Sequence, residues 1–215
     1  MAMSDWDACE QQLAAGIETL GVAVSKSAQA QLIAYLRELS TWNATYNLTA
    51  VRDPLAMVTR HLLDSLAVLD FVTGAAVADI GSGPGLPGLV IAIVRPRMVV
   101  TVVEANRKKA AFLRHARRRL GLENVTVAQE RVEAWQPPEK FDCVICRAFA
   151  AADECARLAG HVVAPGGRFL LMKGRDPAAE LSALPLDFRH VDTVSLAVPG
   201  LAAERHLAIL EPGLI

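Results

Sequence analysis

The 215-residue sequence has almost no charge of either sign in excess: Lys and Arg number 22, Asp and Glu 23, for a formal net charge of -1. No overall basic field draws in nucleic acid, so any such binding must come from a local patch. No run approaches the ~20 apolar residues of a membrane span, and no membrane partner is expected. The opening residues, Met1 to Glu10, are acidic and polar, unlike a secretory signal, and a cytoplasmic location is expected. Internal repeats and low-complexity tracts are absent as well. Cysteine is scarce, with Cys9, Cys143, Cys146 and Cys155 making up the whole set. Cys143 and Cys146 spell C-x-x-C, yet no second pair exists to complete a zinc site. Phe141 to Cys146 reads as a strand, whose side chains alternate faces. An i, i+3 pair then points to opposite faces and cannot chelate one ion. No metal is expected, and these cysteines read as small buried hydrophobes.

What is present centres on Val77 to Gly88, V-A-D-I-G-S-G-P-G-L-P-G. Val77, Ala78 and Ile80 form a short apolar run, long enough for a buried strand and interrupted by Asp79. Gly81, Gly83, Gly85 and Gly88 follow within eight residues, stiffened by Pro84 and Pro87. Glycines let a backbone approach a ligand closely and take positive φ in a turn. Leu86 to Val94 is apolar enough for a helix packed back on a sheet. Strand, glycine loop and helix form a nucleotide site at the carboxyl edge of a doubly wound sheet. Gly83, Gly85 and Gly88 fit the dinucleotide fingerprint G-x-G-x-x-G. Asp79 would repel a diphosphate and attract a cation, and the prolines remove N–H donors a diphosphate could use. S-adenosylmethionine, with a sulfonium, an ammonium and no phosphate, suits the loop better. Glu104 lies 21 residues after Gly83, at the end of the run Val99 to Val103, where a carboxylate can bind two ribose hydroxyls. That second acid suits either ligand.

With 53% hydrophobic residues the chain can bury a substantial core. Residues 1–70 read as a helical extension. A first helix spans Asp7 to Leu20, and Gly21 ends it. A second runs from a cap at Ser25 or Ser27 to about Thr41. Asp53-Pro54 starts a third, reaching Arg60 or beyond, with more helix over 61–71. Residues 71–215 read as the second unit, with strand and helix alternating. Strands are expected at 77–80, 99–104, 125–128, 141–146 and 167–172. Helices are expected at 86–94, 107–120 and 152–163, with a short one near 177–184. Pro165-Gly166-Gly167 reads as a sharp turn into the fifth strand. The tail, 188–197 and 206–210, reads as two strands joined by Pro199-Gly200. The expected fold class is therefore α/β: a mainly parallel sheet with a terminal antiparallel hairpin, after an N-terminal helical extension.

These residues resemble the class I S-adenosylmethionine methyltransferases, with their Rossmann-like sheet. More narrowly, the chain is similar to the glucose-inhibited division protein B family, also called RsmG. The resemblance is carried by W-N-A-T-Y-N-L-T (Trp42–Thr49), R-H-L-L-D-S (Arg60–Ser65) and D-I-G-S-G-P-G-L-P-G (Asp79–Gly88). It continues through R-V-E (Arg131–Glu133), R-A-F-A (Arg147–Ala150), L-M-K-G (Leu171–Gly174) and E-R-H (Glu204–His206). It implies methylation of nitrogen-7 of one guanine in the decoding region of small-subunit (16S) ribosomal RNA. By this resemblance Gly81 and Leu86 line the cofactor pocket, Val132 and Glu133 meet the adenine, and Arg147 contacts the cofactor. Family members often carry Asp where this chain has Glu104.

Each of these positions also has a plainer reading. Glu133 could be a solvated loop carboxylate. Arg147 could be a structural ion pair. Trp42 and Tyr46 could be helix-end packing or a wall beside the RNA or the methyl donor. Asn43 and Asn47 are equally well explained as turn formers. His61 and His206 receive no proton-transfer role. The helix from Arg107 to Arg119 carries seven cations, read either as a solvated face or as contacts to RNA phosphates. Arg60, Arg107, Lys108, Arg114, Arg118, Lys173 and Arg175 are the expected RNA contacts.

No Asn/Asp-Pro-Pro-aromatic loop for amine methylation follows the fourth strand, and Cys146 lacks the preceding proline of a carbon-5 nucleophile. Nitrogen-7 of guanine has a free lone pair, so no general base and no catalytic side chain are expected; alignment is the main requirement. A monomer acting on a ribosomal particle is expected. A nucleotide-binding interaction protein with an inactive methyltransferase fold, and a dehydrogenase, remain alternatives.

Overall fold

The computed structural model describes residues 5–213. Its N-terminal part is helical: α1 (Asp5–Leu20), α2 (Lys26–Tyr46) and α3 (Pro54–Met57). Ser25 caps α2 by accepting from the Ala28 N–H, and Asp53 caps α3 by accepting from the Ala56 N–H at 2.7 Å. Asn47 ends α2 in the left-handed region, at φ 51°. Gly16 sits inside α1 because a Cβ there would lie 2.5 Å from Leu63, so the small residue allows close packing. Beyond α3 the helix does not break. It widens into a π-turn over Val58–Leu63, tightens to α4 (Asp64–Leu66), and ends in a 3-10 turn at Leu69–Phe71. The Asp53-Pro54 start foretells the helix but not the wide turn. Such turns concentrate near functional sites.

The sheet has seven strands: β1 (Ala76–Ile80), β2 (Val99–Val103), β3 (Val125–Ala128), β4 (Phe141–Arg147), β5 (Val163–Lys173), β6 (Phe188–Ser195) and β7 (His206–Pro212). Their order is β3-β2-β1-β4-β5-β7-β6. The first five are parallel, and β7 runs antiparallel between β5 and β6. The expected α/β class with a terminal hairpin is what the chain adopts. Between the strands lie α5 (Gly88–Val94), α6 (Arg107–Arg119) and α7 (Ala152–Ala159), with α8 (Ala178–Leu181) after β5. Several expected boundaries move. α2 runs on to Tyr46, past its expected end near Thr41. α5 starts at Gly88 because Leu86 and Pro87 belong to the loop. α7 gives way at Gly160 to a 3-10 turn over Gly160–Val162. β5 starts at Val163, not after the glycines. Its register jumps from Phe141↔Val163 to Cys143↔Arg168, so Pro165 and Gly166 form a bulge within the ladder rather than a turn before it.

Alternation along the strands divides the core. Val77, Val102, Cys143 and Ile145 join one apolar cluster with the N-terminal helices, α5 and α6. Ala78, Ile80, Val144 and Cys146 join the cluster under α7. Cys143 and Cys146 therefore lie on opposite faces, as the strand reading requires. α5 is buried along its whole length, covered on its outer side by the N-terminal helices.

Candidate active site

β1 lies between β2 and β4, where the winding of the chain reverses, and the loop after it opens on the carboxyl edge of the sheet. Gly81, Gly83 and Gly85 take φ of 63°, 58° and 101°, which only glycine adopts readily. The loop is held from several sides. The Ser82 N–H donates to the Val103 carbonyl at 3.1 Å. The Gly83 N–H donates to Glu104 Oε2 at 2.9 Å. The Tyr35 hydroxyl donates to the Pro84 carbonyl at 2.9 Å. Gly88 admits close packing instead: a Cβ there would stand 2.7 Å from Asp79 Oδ2 and from Val102.

Two clefts adjoin at this edge. One of about 410 Å³ is lined by Gly81, Gly83, Leu86 and Arg147, with Asp64, Lys109, Lys173 and Arg205. One of about 310 Å³ is lined by Gly81, Glu104, Val132 and Glu133, with Phe149. Gly81, Lys109 and Ala148 belong to both. A side chain on Gly81 would collide with the Phe149 ring, its Cβ 2.6 Å away. Of the residues expected at the cofactor, all but Asp79 and Gly85 border these clefts. Asp79 is fully buried beneath the loop, its Oδ2 accepting from the Gly88 N–H at 2.8 Å. Gly85 is turned toward Leu89 and Leu113. Glu104 is 8% exposed and accepts from two backbone N–H groups, Gly83 and Asn106. Each of its oxygens retains a further lone pair for a hydroxyl donor.

Burial makes two groups reluctant to ionise. It raises the Asp79 carboxyl from 3.8 to about 7, opposed by the Gly88 N–H and the Arg147 charge. One oxygen, Oδ1, has no partner. Burial, then the Arg147 charge, lowers His61 from 6.5 to about 4. The signs oppose. Folded Asp79 holds a proton that the unfolded chain releases above about pH 4, so its contribution is lost as the pH rises toward 7. Folded His61 refuses a proton that the unfolded chain accepts below about pH 6.5, so stability falls as the pH drops toward 4. In the parent chain the two slopes oppose each other. Asp79→Asn is expected to expose the His61 slope, with unfolding free energy falling by on the order of 3 kcal/mol between pH 7 and pH 4. Urea midpoints of both proteins across that range check this, and parallel profiles would contradict it.

Sequence reasoning did not assign a role to Asp64 or Arg205. Asp64 is buried, and its two oxygens accept from Arg147 Nη1 at 3.0 Å and Arg205 Nε at 2.7 Å. Arg147 also donates to the Arg60 carbonyl at 3.0 Å. This joins the π-turn, the end of β4 and the start of β7 at the wall of the larger cleft. Arg147 is thus ion-paired, as its plainer reading has it, and it also lines the larger cleft. Asp64 and Arg205 do stand in R-H-L-L-D-S and E-R-H, but nothing in a linear sequence pairs residues 141 positions apart.

The expected RNA contacts are scattered. Arg60, Arg107, Lys108, Arg118 and Arg175 are exposed. Arg114 is half-buried and donates to Gln129 at 2.8 Å. Lys173 is 13% exposed, pairs with Glu180 and donates to the Ala150 carbonyl, so it is already engaged. α6 begins at the cleft rim and runs away from it, which puts Arg114 and Arg118 roughly 10 and 16 Å farther along than Arg107. Asn43 closes the loop after α2, donating to the Val51 carbonyl and accepting from the Thr49 N–H. Asn47 accepts from Arg52. Asn47, left-handed at the end of α2, follows the turn-forming reading, whereas Asn43 sits inside α2 and braces the loop from there. His61 faces Thr49 at 3.0 Å.

Among solved structures, the fold is similar to the N-methyltransferase NodS from Bradyrhizobium japonicum in complex with S-adenosyl-L-homocysteine. That match has a TM-score of 0.56 and 15% identity, over 81% of this chain and 100% of that one. It is also similar to TrmN from Thermus thermophilus, with a TM-score of 0.56 and 20% identity over 73% and 53%. At these identities the likeness is one of fold. Sequence relatives are nearer. The ribosomal RNA small subunit methyltransferase G of Nitrosospira multiformis is 49% identical over 207 residues, 93% of this chain and 96% of that protein. That of Xanthomonas campestris pv. campestris (strain B100) is 50% identical over 181 residues, 84% and 85% of the two. The GidB model, described as rRNA small subunit methyltransferase G, matches residues 28–208. With its glycine loop at the switch point of a methyltransferase sheet and that match across most of its length, the chain belongs to the rRNA small subunit methyltransferase G (GidB) family.

Proposed function

We propose that this enzyme transfers the methyl group of S-adenosylmethionine to nitrogen-7 of a guanine in the decoding region of 16S ribosomal RNA. The observation that carries the reading is the pair of clefts joined at Gly81, one bordered by Val132 and Glu133, the other rich in cations. The residues fit the cofactor. In this reading Glu104 binds the ribose hydroxyls, Val132 and Glu133 meet the adenine, and Arg147 meets the amino-acid end. Gly81, Gly83 and Leu86 leave the backbone open to close approach, while Asp79 and Gly85 hold the loop in shape from beneath. When bound, the cofactor supplies an electrophilic methyl group on a sulfonium.

The chain's own work is to align and to exclude water. Asp64 is committed to two guanidinium groups and Glu104 is held by two backbone N–H groups, while Glu133 stands at the proposed adenine end. His61, held neutral by burial, faces Thr49. Nitrogen-7 carries no proton, so the reaction asks none of these groups to act as a base. The reaction that matches such a site is attack by an unprotonated lone pair, accelerated by orientation.

Arg60, Arg107 and Lys108 at the rim, and Arg175 past β5, are the proposed nearest contacts to RNA phosphates. Arg114 and Arg118 serve RNA that extends beyond the target, and Lys173 acts through the Ala150 loop it holds. The helical part, residues 1–70, shapes the rim above the 71–215 part. With a net charge of -1, naked RNA is bound weakly and with steep salt dependence, and an assembled ribosomal particle in the cytoplasm is the proposed substrate of a monomeric enzyme.

Glu133→Ala tests the adenine end. Glu133 is exposed, and its pairing with Arg131 at 3.8 Å lies at the surface, so the fold does not depend on it. The variant is expected to bind S-adenosylmethionine about 1–3 kcal/mol more weakly by calorimetry, the scale of a hydrogen bond to a charged group. Unchanged cofactor affinity with poor RNA methylation would move Glu133 to the substrate side.

A further inference from the structure

Trp42 and Tyr46 lie one turn apart on α2, with ring centroids 5.3 Å apart. Trp42 is braced from below. Its ring lies 5.6 Å from Phe112 and 4.9 Å from His115. His115 is held by Glu38, which also takes Arg119. The stack therefore has a fixed base. Its outer member, Tyr46, is 43% exposed, the only aromatic among the exposed large hydrophobic residues described.

The surroundings of Tyr46 are basic. Gln31 bonds the Leu120 carbonyl, Glu38 pairs with Arg119 and His115, and Trp42 meets Phe112. Residue numbers rise along α2 as they fall along α6, so the two helices are antiparallel. Tyr46 stands at the end where α6 begins, with Arg107 and Lys108 exposed. Arg52, also exposed, is fixed there by Asn47 at 2.7 Å. Lys109, on the same turn of α6, lines both clefts. An exposed, braced aromatic ring at the end of α2 that lies toward the basic start of α6 matches what single-stranded nucleic acid requires: a flat partner for a base and positive charge for its phosphates.

We infer that Tyr46, braced by Trp42, is a stacking platform for an unpaired RNA base neighbouring the methylated guanine, with Arg52, Arg107 and Lys108 neutralising the adjoining phosphates. This rests on the RNA substrate proposed above. A pre-ordered ring loses little freedom on binding, so its contact goes into affinity rather than into ordering the side chain. Stacking and charge differ in their response to salt, and that difference separates them.

The test uses the full-length enzyme and small ribosomal subunits purified from cells lacking this methyltransferase. Binding and methylation are followed across a salt series for the parent, Tyr46→Ala, Tyr46→Trp and Lys108→Ala. Tyr46→Ala is expected to weaken RNA binding about tenfold, with the salt slope, the cofactor affinity and the thermal midpoint unchanged. Tyr46→Trp is expected to restore binding. Lys108→Ala is expected to flatten the slope by about one ion. Parent-like binding by Tyr46→Ala overturns the platform. So does a loss matched by a fall in thermal midpoint or cofactor affinity, which would make Tyr46 a packing residue. A parent enzyme that methylates no small-subunit RNA overturns the proposed function, and the platform with it, without reference to any variant.

Discussion

Gly83→Arg is expected to give a folded protein that no longer binds S-adenosylmethionine. At φ 58° the position is left-handed, and a side chain costs about 1–2 kcal/mol there. Space is not the obstacle. The nearest atom to an added Cβ is the Gly81 carbonyl oxygen, 4.0 Å away. Gly83 borders the larger cleft, so a long cationic side chain would fill the volume meant for the ligand. The Gly83 N–H can still reach Glu104, which keeps the loop anchored. Cofactor affinity is expected to fall more than 100-fold, on the order of 3 kcal/mol or more. Gly88→Ala makes the contrast. Its methyl would press on Asp79 and Val102 in a packed interior, so the loss there is in stability, about 1–3 kcal/mol. Calorimetry and thermal unfolding on both variants separate the roles. Parent-like affinity in folded Gly83→Arg would remove the glycine loop from the binding site.

Asp64→Ala is expected to be the most destabilising single change at the site. The carboxylate is 2% exposed and neutralises two guanidinium groups whose side chains are 21% and 24% exposed. Removing it leaves Arg147 and Arg205 facing each other with no counter-charge. Breaking a buried pair in this way costs about 3–5 kcal/mol. The change also unties α4 from the start of β7, while the bond from Arg147 to the Arg60 carbonyl still holds the π-turn to β4. Adding Arg205→Ala should recover part of the loss, because one of the two stranded charges is then gone. Denaturant midpoints of the single and double variants measure this. A single variant within ~0.5 kcal/mol of the parent would show that the cluster bears little of the fold.

What could be read before folding was whatever is written locally. The glycine loop, the alternation of strand and helix, and the caps at Ser25 and Asp53 each occupy a few adjacent residues. The opposite faces of Cys143 and Cys146 followed from strand geometry alone. The illegible parts depend on distance or on phase. Asp79 carries the charge a cation-binding site would use, but its position under α5 depends on how closely Gly88 packs. The bulge in β5 looked like a turn because Pro165 and Gly166 favour both. The π-turn shows no distinct hydrophobic period, and it sits beside the cluster that sequence reading missed. The cations of α6 fall within one thirteen-residue helix, yet the helix carries more than half of them, Arg114 and Arg117 to Arg119, away from the site. Tertiary placement, not residue type, decides which of them can serve the reaction.

The central claim is the atom that receives the methyl group, and its product is chemically distinctive. Methylation at nitrogen-7 leaves a cationic guanine whose glycosidic bond is labile. Small ribosomal subunits from cells lacking the enzyme, incubated with the parent protein and radiolabelled S-adenosylmethionine, should acquire one methyl group. Borohydride followed by aniline should then cleave the RNA at a single guanine in the decoding region. The Gly83→Arg protein should produce neither label nor cleavage. RNA that carries one enzyme-dependent methyl group and resists cleavage would place the methyl on another atom and contradict the reaction proposed here.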